Sequence, residues 1–453
     1  MFEHTDELEL VVVGGGAAGL AAAREGVRRG AKVLLVTDGP PGGECTFTGC
    51  LPSKTLIADA ARGVAFRDAI DRVRATIDAI ARTEDEDALR GEGIEVTRGR
   101  ARFRSPRTID VDGKTIDGRR FVIATGSRLS PPPIDGIDDV DYLSHENVFD
   151  LDELPASLIV LGGGPVGCEL AQTFARFGSA VTLIEREERL LPTEEREVSG
   201  VLLDVFAREG IAVLTGTSAT KVERSAPGIR VHLGGRGSVD AEALLVASGM
   251  RAATEHLGLD AASVEAEPPG WVRTDTSLAT TTKGIWAAGD VTGRSPFTHA
   301  ADEMGRIAAA NALSRSRKRF DVRAVPFVVF TDPEVARVGC TTSDAGMLRD
   351  GKIAFRLMTD VDRAITEGKT DGFIKLIGAK RRFLGGVGGG RLMGATIVCA
   401  RAGELVNEAA LAIQTKMFLG RLAQTIHAYP TWSTSLRQTA SQFFGYGDGV
   451  RPI

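Results

Sequence analysis

Twice along this chain a short apolar strand runs straight into a glycine-rich turn that opens a helix, and no other feature constrains the fold as much. Residues 8–13 lead into Gly14-Gly15-Gly16-Ala17-Ala18-Gly19 and a helix over 20–29. Residues 158–161 lead into Gly162-Gly163-Gly164-Pro165-Val166-Gly167 and a helix through Cys168-Glu169-Leu170-Ala171. In each unit the first glycine (Gly14, Gly162) allows a tight turn and the second (Gly16, Gly164) lets backbone approach a pyrophosphate. The third (Gly19, Gly167) lets the helix close on the strand. The helix N-terminus then aims N–H groups and a positive dipole end at the phosphates. A second strand comes after each helix, over 32–36 and 180–184. Glu185 stands 23 positions after Gly162, and Thr37 stands 23 after Gly14, with Asp38 next. Equal intervals are what two copies of one nucleotide-binding module give.

A chain of 453 residues is too long for one core and predicts two to four domains. Its apolar content of 43% and charged content of 25% are those of a globular protein. The net charge of −5 argues against a general nucleic-acid binder, whose footprint is a basic excess. Arg98, Arg100, Arg102, Arg104 and Arg107 read as the solvent face of a strand, with Ala101 and Phe103 inward. Arg315, Arg317, Lys318 and Arg319 read as an exposed connector. The start of the chain is acidic, without an export pattern, and no apolar run reaches the roughly 18–20 residues that span a bilayer. The expectation is a cytoplasmic protein with no membrane partner.

Between the first module and a long amphipathic helix (Phe66, Ile70, Val73, Ile77, Ile80) lies Gly42-Gly43-Glu44-Cys45-Thr46-Phe47-Thr48-Gly49-Cys50-Leu51-Pro52-Ser53-Lys54. Five helical residues rise about 7.5 Å, whereas bridged cysteines keep their Cα atoms within roughly 4.4–6.8 Å. A Cys45–Cys50 disulfide therefore needs a distorted turn, for which Gly49 supplies backbone freedom. A strained short-loop disulfide is easily reduced, so the pair reads as redox-active; two free thiols or half of a metal site are the other readings. No further Cys or His cluster completes a metal site, and no metal ligand is assigned. Cys168, Cys340 and Cys399 are isolated. Residues 83–87 read as a solvated loop, and Gly385 to Gly390 as a mobile hairpin connection.

The cysteine stretch resembles the active site of the pyridine nucleotide–disulfide oxidoreductases, the flavoenzyme family of dihydrolipoamide dehydrogenase, glutathione reductase and mercuric reductase. The resemblance runs nearly end to end. Phe121-Val122-Ile123-Ala124-Thr125-Gly126 is similar to the segment closing the first half of the flavin domain. Gly284-Ile285-Trp286-Ala287-Ala288-Gly289-Asp290 is similar to the segment that returns the chain to the flavin, and residues from about 323 resemble the dimerisation domain. It implies an α/β fold: two Rossmann-like domains for FAD and NAD(P) plus an α+β dimerisation domain. The boundaries are 1–150 (FAD, first part), 151–265 (NAD(P)), 266–322 (return to FAD, central) and 323–453 (dimerisation).

The resemblance also implies roles. Cys50 is the flavin-facing thiolate and Cys45 the sulfur that meets the substrate. Lys54 sits by the flavin ring with Glu169 as its ion-pair partner, and Asp290 binds the ribityl chain. Gly126 and Gly249 join the module glycines among the cofactor-binding residues. At the end of the second strand, where the family places a ribose-binding acid, either Asp38 or Thr37 makes the contact. A carboxylate hydrogen-bonds an unphosphorylated ribose and repels a 2′-phosphate, so Glu185 favours NADH over NADPH, while Arg186 beside it pulls the other way.

The segment His427-Ala428-Tyr429-Pro430-Thr431-Trp432-Ser433-Thr434 departs from the family's His-Pro-Thr-x-x-Glu acid/base segment. Tyr429 holds the histidine position and Thr434 the glutamate position. A positioned general base is worth about 10²–10⁴-fold, and a tyrosine with a pKa near 10 is a poor one at neutral pH. Mercuric reductases also carry tyrosine there, although residues 443–449 hold no cysteine pair of the kind that delivers mercury, and no metal-binding domain is expected ahead of residue 8. The expectation is a homodimeric, mercuric-reductase-like NAD(P)H oxidoreductase with a small-molecule or metal-ion acceptor. Three further readings are a dihydrolipoamide dehydrogenase using His427 or Tyr429, an NAD(P)H:quinone reductase, and a flavin-binding protein without catalysis.

Overall fold

The computed structural model describes residues 8–226, 228–315, 317–345, 350–380, 387–445 and 451–452. The first glycine-turn unit is the middle of a five-stranded sheet. In spatial order its strands are Ile285–Ala287, Phe121–Ile123, Leu10–Val13, Val33–Thr37 and Ile94–Arg98, all parallel. Leu10 to Val13 are buried throughout, as parallel strands covered on both faces must be. The edge strand Ile285–Ala287 arrives from the far side of the second module, so the first sheet closes only after the second has been built.

The second unit repeats the plan. Ala212–Leu214, Ala180–Ile184, Ser157–Leu161 and Ala243–Val246 form a four-stranded parallel sheet in that order. Each module also carries a three-stranded antiparallel meander, Ala101–Ser105 to Lys114–Asp117 in the first and Ala219–Arg224 to Gly237–Ala241 in the second. The arginine stripe is exposed as expected. It is split between two sheets, however, because Arg98 ends the parallel strand while Arg102 and Arg104 belong to the meander.

The glycine-turn helix Ala17–Arg28 packs against Thr298–Leu313 at very short range. A Cβ at Gly305 would stand 2.1 Å from the Ala18 carbonyl oxygen, so the Ala- and Gly-rich sequences of both helices follow from their separation. The helix Phe66–Ala81 buries Phe66, Ile70 and Val73. Beyond it the structure corrects one expectation: Glu86–Gly91 is helical, because the Asp85 side chain accepts the Ala88 N–H at 2.8 Å and caps it.

The C-terminal unit is a six-stranded antiparallel sheet, ordered Phe327–Val329, Glu334–Gly339, Arg391–Cys399, Phe373–Ala379, Lys352–Leu357 and Arg451–Pro452. The helices Ala402–Gln414 and Trp432–Ser441 supply much of its buried apolar face. Of the glycine run expected as a hairpin connection, Gly385 and Gly386 lie outside the described residues; 387–389 form a short segment kinked at Gly388, whose φ is +63°, between two paired strands. Among the described residues no helix is long and apolar enough to cross a membrane.

Candidate active site

Cys45 lies in the short helix Gly43–Phe47, and Cys50 opens the helix Cys50–Arg62. The chain breaks between them at Thr48 and Gly49. Gly49 has φ −117°, so the left-handed freedom of glycine is not what the turn uses. A Cβ there would stand 2.9 Å from the Glu44 carbonyl oxygen, and the missing side chain is what lets the two helical segments fold together. Both cysteines are half-buried free thiols.

The Cys45 thiol donates to the Cys50 sulfur, which lies 3.2 Å from the Thr298 hydroxyl. Those hydrogen bonds and the Lys54 charge outweigh burial and bring Cys50 down to about 6. Cys45 is pushed well above the ordinary thiol range, first by its bond to Cys50 and then by burial. One sulfur is thus a thiolate at neutral pH and the other a thiol, the division of labour that thiol–disulfide exchange requires.

Lys54 is one helical turn beyond Cys50 and on the same face. Its ammonium donates to Glu169 Oε2 at 2.9 Å and to Ser53 Oγ at 3.3 Å. Glu169 is buried on the second module's helix Pro165–Phe177, and its other oxygen accepts the Phe330 N–H at 2.8 Å. This ion pair joins the two modules across the redox helix.

Around the first glycine turn the backbone segments approach one another closely and leave polar side chains short of partners. Gly14 has φ +115°, and a Cβ there would lie 2.2 Å from the Ala124 carbonyl oxygen. A Cβ on Gly43 would stand 2.6 Å from the Gly16 Cα, whereas one on Gly16 would meet nothing nearer than 4.0 Å. The Thr125 hydroxyl is buried with no partner. Burial, with a contribution from Cys50, pushes the Asp290 carboxyl up to about 6 against its one hydrogen bond, from Ser127 at 3.4 Å. Glu44 pairs with His145 at 3.2 Å; enclosure by protein and the Asp290 and Cys50 charges push it up to about 7. Gly126 has open space before it. At the end of the second strand Thr37 is buried against Gly15, whereas Asp38 is exposed and paired to Arg128 at 3.4 Å.

In the second module Gly162 repeats φ +113°, and Gly167 repeats the close approach of Gly19: a Cβ on either would stand 1.8 Å from the carbonyl oxygen five residues back. Nothing lies within 4 Å of a Cβ on Gly164. Glu185 is buried against Gly163, its oxygens accepting the Gly163 N–H at 2.5 Å and the Glu187 N–H at 2.7 Å. Gly249 sits where the short strands Ser127–Leu129 and Met250–Ala252 pair between the modules, 1.9 Å from the Ser130 oxygen at its Cβ position.

Residues 8–305 match the pyridine nucleotide-disulphide oxidoreductase family, and residues 325–440 match its dimerisation domain. The mercuric reductase of Streptomyces lividans is 36% identical over 96% of this chain and 96% of its own. The dihydrolipoyl dehydrogenase of Thermus scotoductus is 35% identical over 95% of this chain and 96% of its own. Among solved structures, the Cu(II) complex of the HOCl-induced flavoprotein disulfide reductase RclA from Escherichia coli superposes with a TM-score of 0.89. It is 29% identical and covers 96% of this chain and 99% of that one. The chain belongs to the pyridine nucleotide–disulfide oxidoreductase family.

Membership makes it an FAD-dependent enzyme that uses a pyridine nucleotide. The site fits both cofactors. Beside the first turn the buried Thr125 hydroxyl has no partner and the Asp290 carboxyl has a long hydrogen bond from Ser127, and in the second module nothing lies within 4 Å of a Cβ on Gly164. Among the described residues no group of three or more His, Cys, Asp or Glu side chains is placed to hold a metal ion.

Within this oxidoreductase the 427–434 segment is distinctive. His427 Nδ1 meets the Thr425 carbonyl oxygen at 2.9 Å, and Nε2 meets both Glu408 oxygens at 3.1 Å. Its ring is therefore fixed inside its own subunit. Tyr429 is 71% exposed at the tip of the loop, beside Ile426 at 96%. The Asp362 carboxylate holds the Tyr429 phenol above its ordinary range. Thr434 is buried and donates to the Ala428 carbonyl oxygen at 2.8 Å, shaping the loop. Sequence reasoning missed Thr298, Phe330, Thr125, Ser127 and the Glu44–His145 pair. All but Glu44 lie far along the chain from the cysteines, and although Thr125 falls within a recognised motif, no spacing marks any of them as a neighbour of the redox site.

Proposed function

We propose that the protein is a homodimeric NADH-dependent reductase that passes electrons through Cys45 and Cys50 to a soft metal ion, in the manner of the mercuric reductases it resembles. The observation that carries this reading is the split dithiol: a Cys50 thiolate and a Cys45 thiol within hydrogen-bonding contact, beside Lys54, with the nearest histidine of the 427–434 segment committed elsewhere. Bound FAD supplies hydride acceptance from the nicotinamide and electron delivery to the sulfurs.

The residues divide the remaining work. Lys54, held by Glu169, keeps positive charge beside Cys50 and favours its thiolate. Thr298 donates its hydroxyl to the same sulfur. Cys45 holds the proton and is the sulfur offered to the acceptor. Two thiolate ligands suit a soft metal ion, and metal binding displaces the Cys45 proton without a dedicated base. The 71% exposure of Tyr429 at the loop tip supports a role for it toward the partner subunit of the dimer. Asp290, Gly126 and the first-module glycines hold the ribityl and diphosphate portions of FAD. Glu185, fixed by two backbone N–H groups, presents a carboxylate to the adenosine ribose of NADH and repels a 2′-phosphate. Asp38, exposed at the end of the second strand, takes the FAD ribose hydroxyls, while the buried Thr37 hydroxyl is bonded to the Gly39 carbonyl oxygen. The matched dimerisation domain supports the homodimer, and we place the protein in the cytoplasm.

The test is steady-state NADH oxidation by the FAD-loaded protein, wild type beside Cys45→Ser, against Hg²⁺ with excess thiol, lipoamide, glutathione disulfide and a quinone. We expect Hg²⁺ turnover that falls more than about a thousandfold in the variant. Fast lipoamide turnover sinks the metal-ion assignment, and quinone turnover unaffected by Cys45→Ser takes the dithiol off the productive path.

A further inference from the structure

Residues 330–332 leave the first strand of the C-terminal sheet and lie along one face of the Pro165–Phe177 helix. Glu169, Gln172 and Arg176, three and four positions apart, share that face. Glu169 Oε1 accepts the Phe330 N–H at 2.8 Å. Gln172 takes the Asp332 N–H at 2.8 Å and donates to the Asp332 carbonyl oxygen at 2.8 Å. Arg176 pairs with the Asp332 carboxylate at 3.2 Å. The C-terminal domain is thereby fastened to the helix that carries the partner of Lys54.

Phe330 does more than continue this seam. The Lys54 ammonium lies 4.6 Å from its ring centroid, within the range in which a ring face attracts a cation. One residue therefore holds both members of the ion pair, the lysine by its ring and the glutamate by its backbone N–H. Lys54 has three donors. Glu169 and Ser53 take two, and the Phe330 ring limits where the charge can swing. A lysine side chain is flexible and readily hydrated, so its influence on Cys50 depends on such confinement.

We propose that Phe330 is a positioning residue for the redox centre, its ring confining the Lys54 ammonium and its N–H fixing Glu169 so that the positive charge stays beside Cys50. The inference rests on the dithiol reading proposed above. It makes the C-terminal domain a contributor to the chemistry from within the same subunit, besides being a surface for dimerisation.

The experiment is a pH titration of the two-electron-reduced, FAD-loaded dimer, following the long-wavelength absorbance of the Cys50 thiolate against oxidised flavin. Phe330→Leu, which keeps the backbone N–H and removes the ring, is expected to raise the midpoint by about half a unit. That corresponds to about a twofold loss of thiolate at pH 6. Phe330→Tyr keeps the ring and is expected to titrate with the wild type. If the leucine variant does not assemble, Phe330→Met takes its place. The proposal is overturned if the ringless variant titrates with the wild type, or if Phe330→Tyr shifts as far as Phe330→Leu. Cys50→Ser must abolish the absorbance; if the band persists, it is the dithiol reading that fails.

Discussion

The two dinucleotide modules share strand order, glycine turn and meander, yet they differ at the residue that faces the second position of the turn. In the first module that residue is Thr37, whose hydroxyl donates to the Gly39 carbonyl oxygen at 2.9 Å. In the second it is Glu185, whose two oxygens accept backbone N–H groups. The oxygens of a buried carboxylate need hydrogen-bond donors, and the Gly163 and Glu187 N–H groups supply them. The modules also diverge beyond their second strands. There the first inserts the redox helix, whereas the second runs into Glu194 and Glu195, which anchor it to the C-terminal domain. Glu194 takes both a 2.6 Å and a 3.0 Å hydrogen bond from Arg337, and Glu195 pairs with the buried Lys375 at 3.2 Å. One fold thus serves twice, once as a platform for sulfur chemistry and once as a nucleotide holder tied to its surroundings.

The same substitution in each module tests that division most severely. Gly19→Ala and Gly167→Ala both force a Cβ to 1.8 Å from a carbonyl oxygen, and each opens its helix from its strand at a cost beyond about 1–3 kcal/mol. Gly19→Ala is expected to purify without flavin, and Gly167→Ala to keep flavin that NADH no longer bleaches. Loss of flavin from both, read by visible absorbance, would show the modules are not separable.

A smaller effect contrasts Cys50 in the first module with Cys168 on the helix of the second. Cys50 lies near 6, so its thiolate persists above that pH and is protonated as pH falls through it. In the reduced Cys45→Ser variant the serine hydroxyl can still donate to the Cys50 sulfur. Alkylation of Cys50 there should drop about tenfold between pH 7 and pH 5. Cys168 is fully buried and pushed far above the ordinary thiol range by that burial, so it should stay unlabelled throughout. A Cys50 midpoint near that of a free thiol would remove Lys54 and Thr298 from its control.

The mildest change is Glu185→Gln, which keeps an acceptor for Gly163 and removes the charge. The ratio of kcat/KM for NADH to that for NADPH should fall by about tenfold, roughly 1.4 kcal/mol. An unchanged ratio would place the discrimination outside this residue.

Much of this was legible because it is local. The glycine turns, the 23-residue interval to Thr37 and Glu185, and the strand at 180–184 are short-range consequences of a chain that must turn sharply around a diphosphate. The pairing of Lys54 with Glu169 followed from matching both positions to a family. Other readings failed where sequence could not see neighbours. Residues 86–91, whose first positions were expected to be loop, are helical because Asp85 caps them. His427, close to the missing histidine in sequence, is locked to Glu408 nineteen residues earlier. The sequence by itself determined the modules and the redox stretch, since each is written in neighbouring residues. Tertiary structure alone decided which distant groups meet the sulfurs and their lysine. Thr298 and Phe330 reach Cys50 and Lys54 across more than two hundred residues, and spacing along a chain carries no information about contacts that only packing creates.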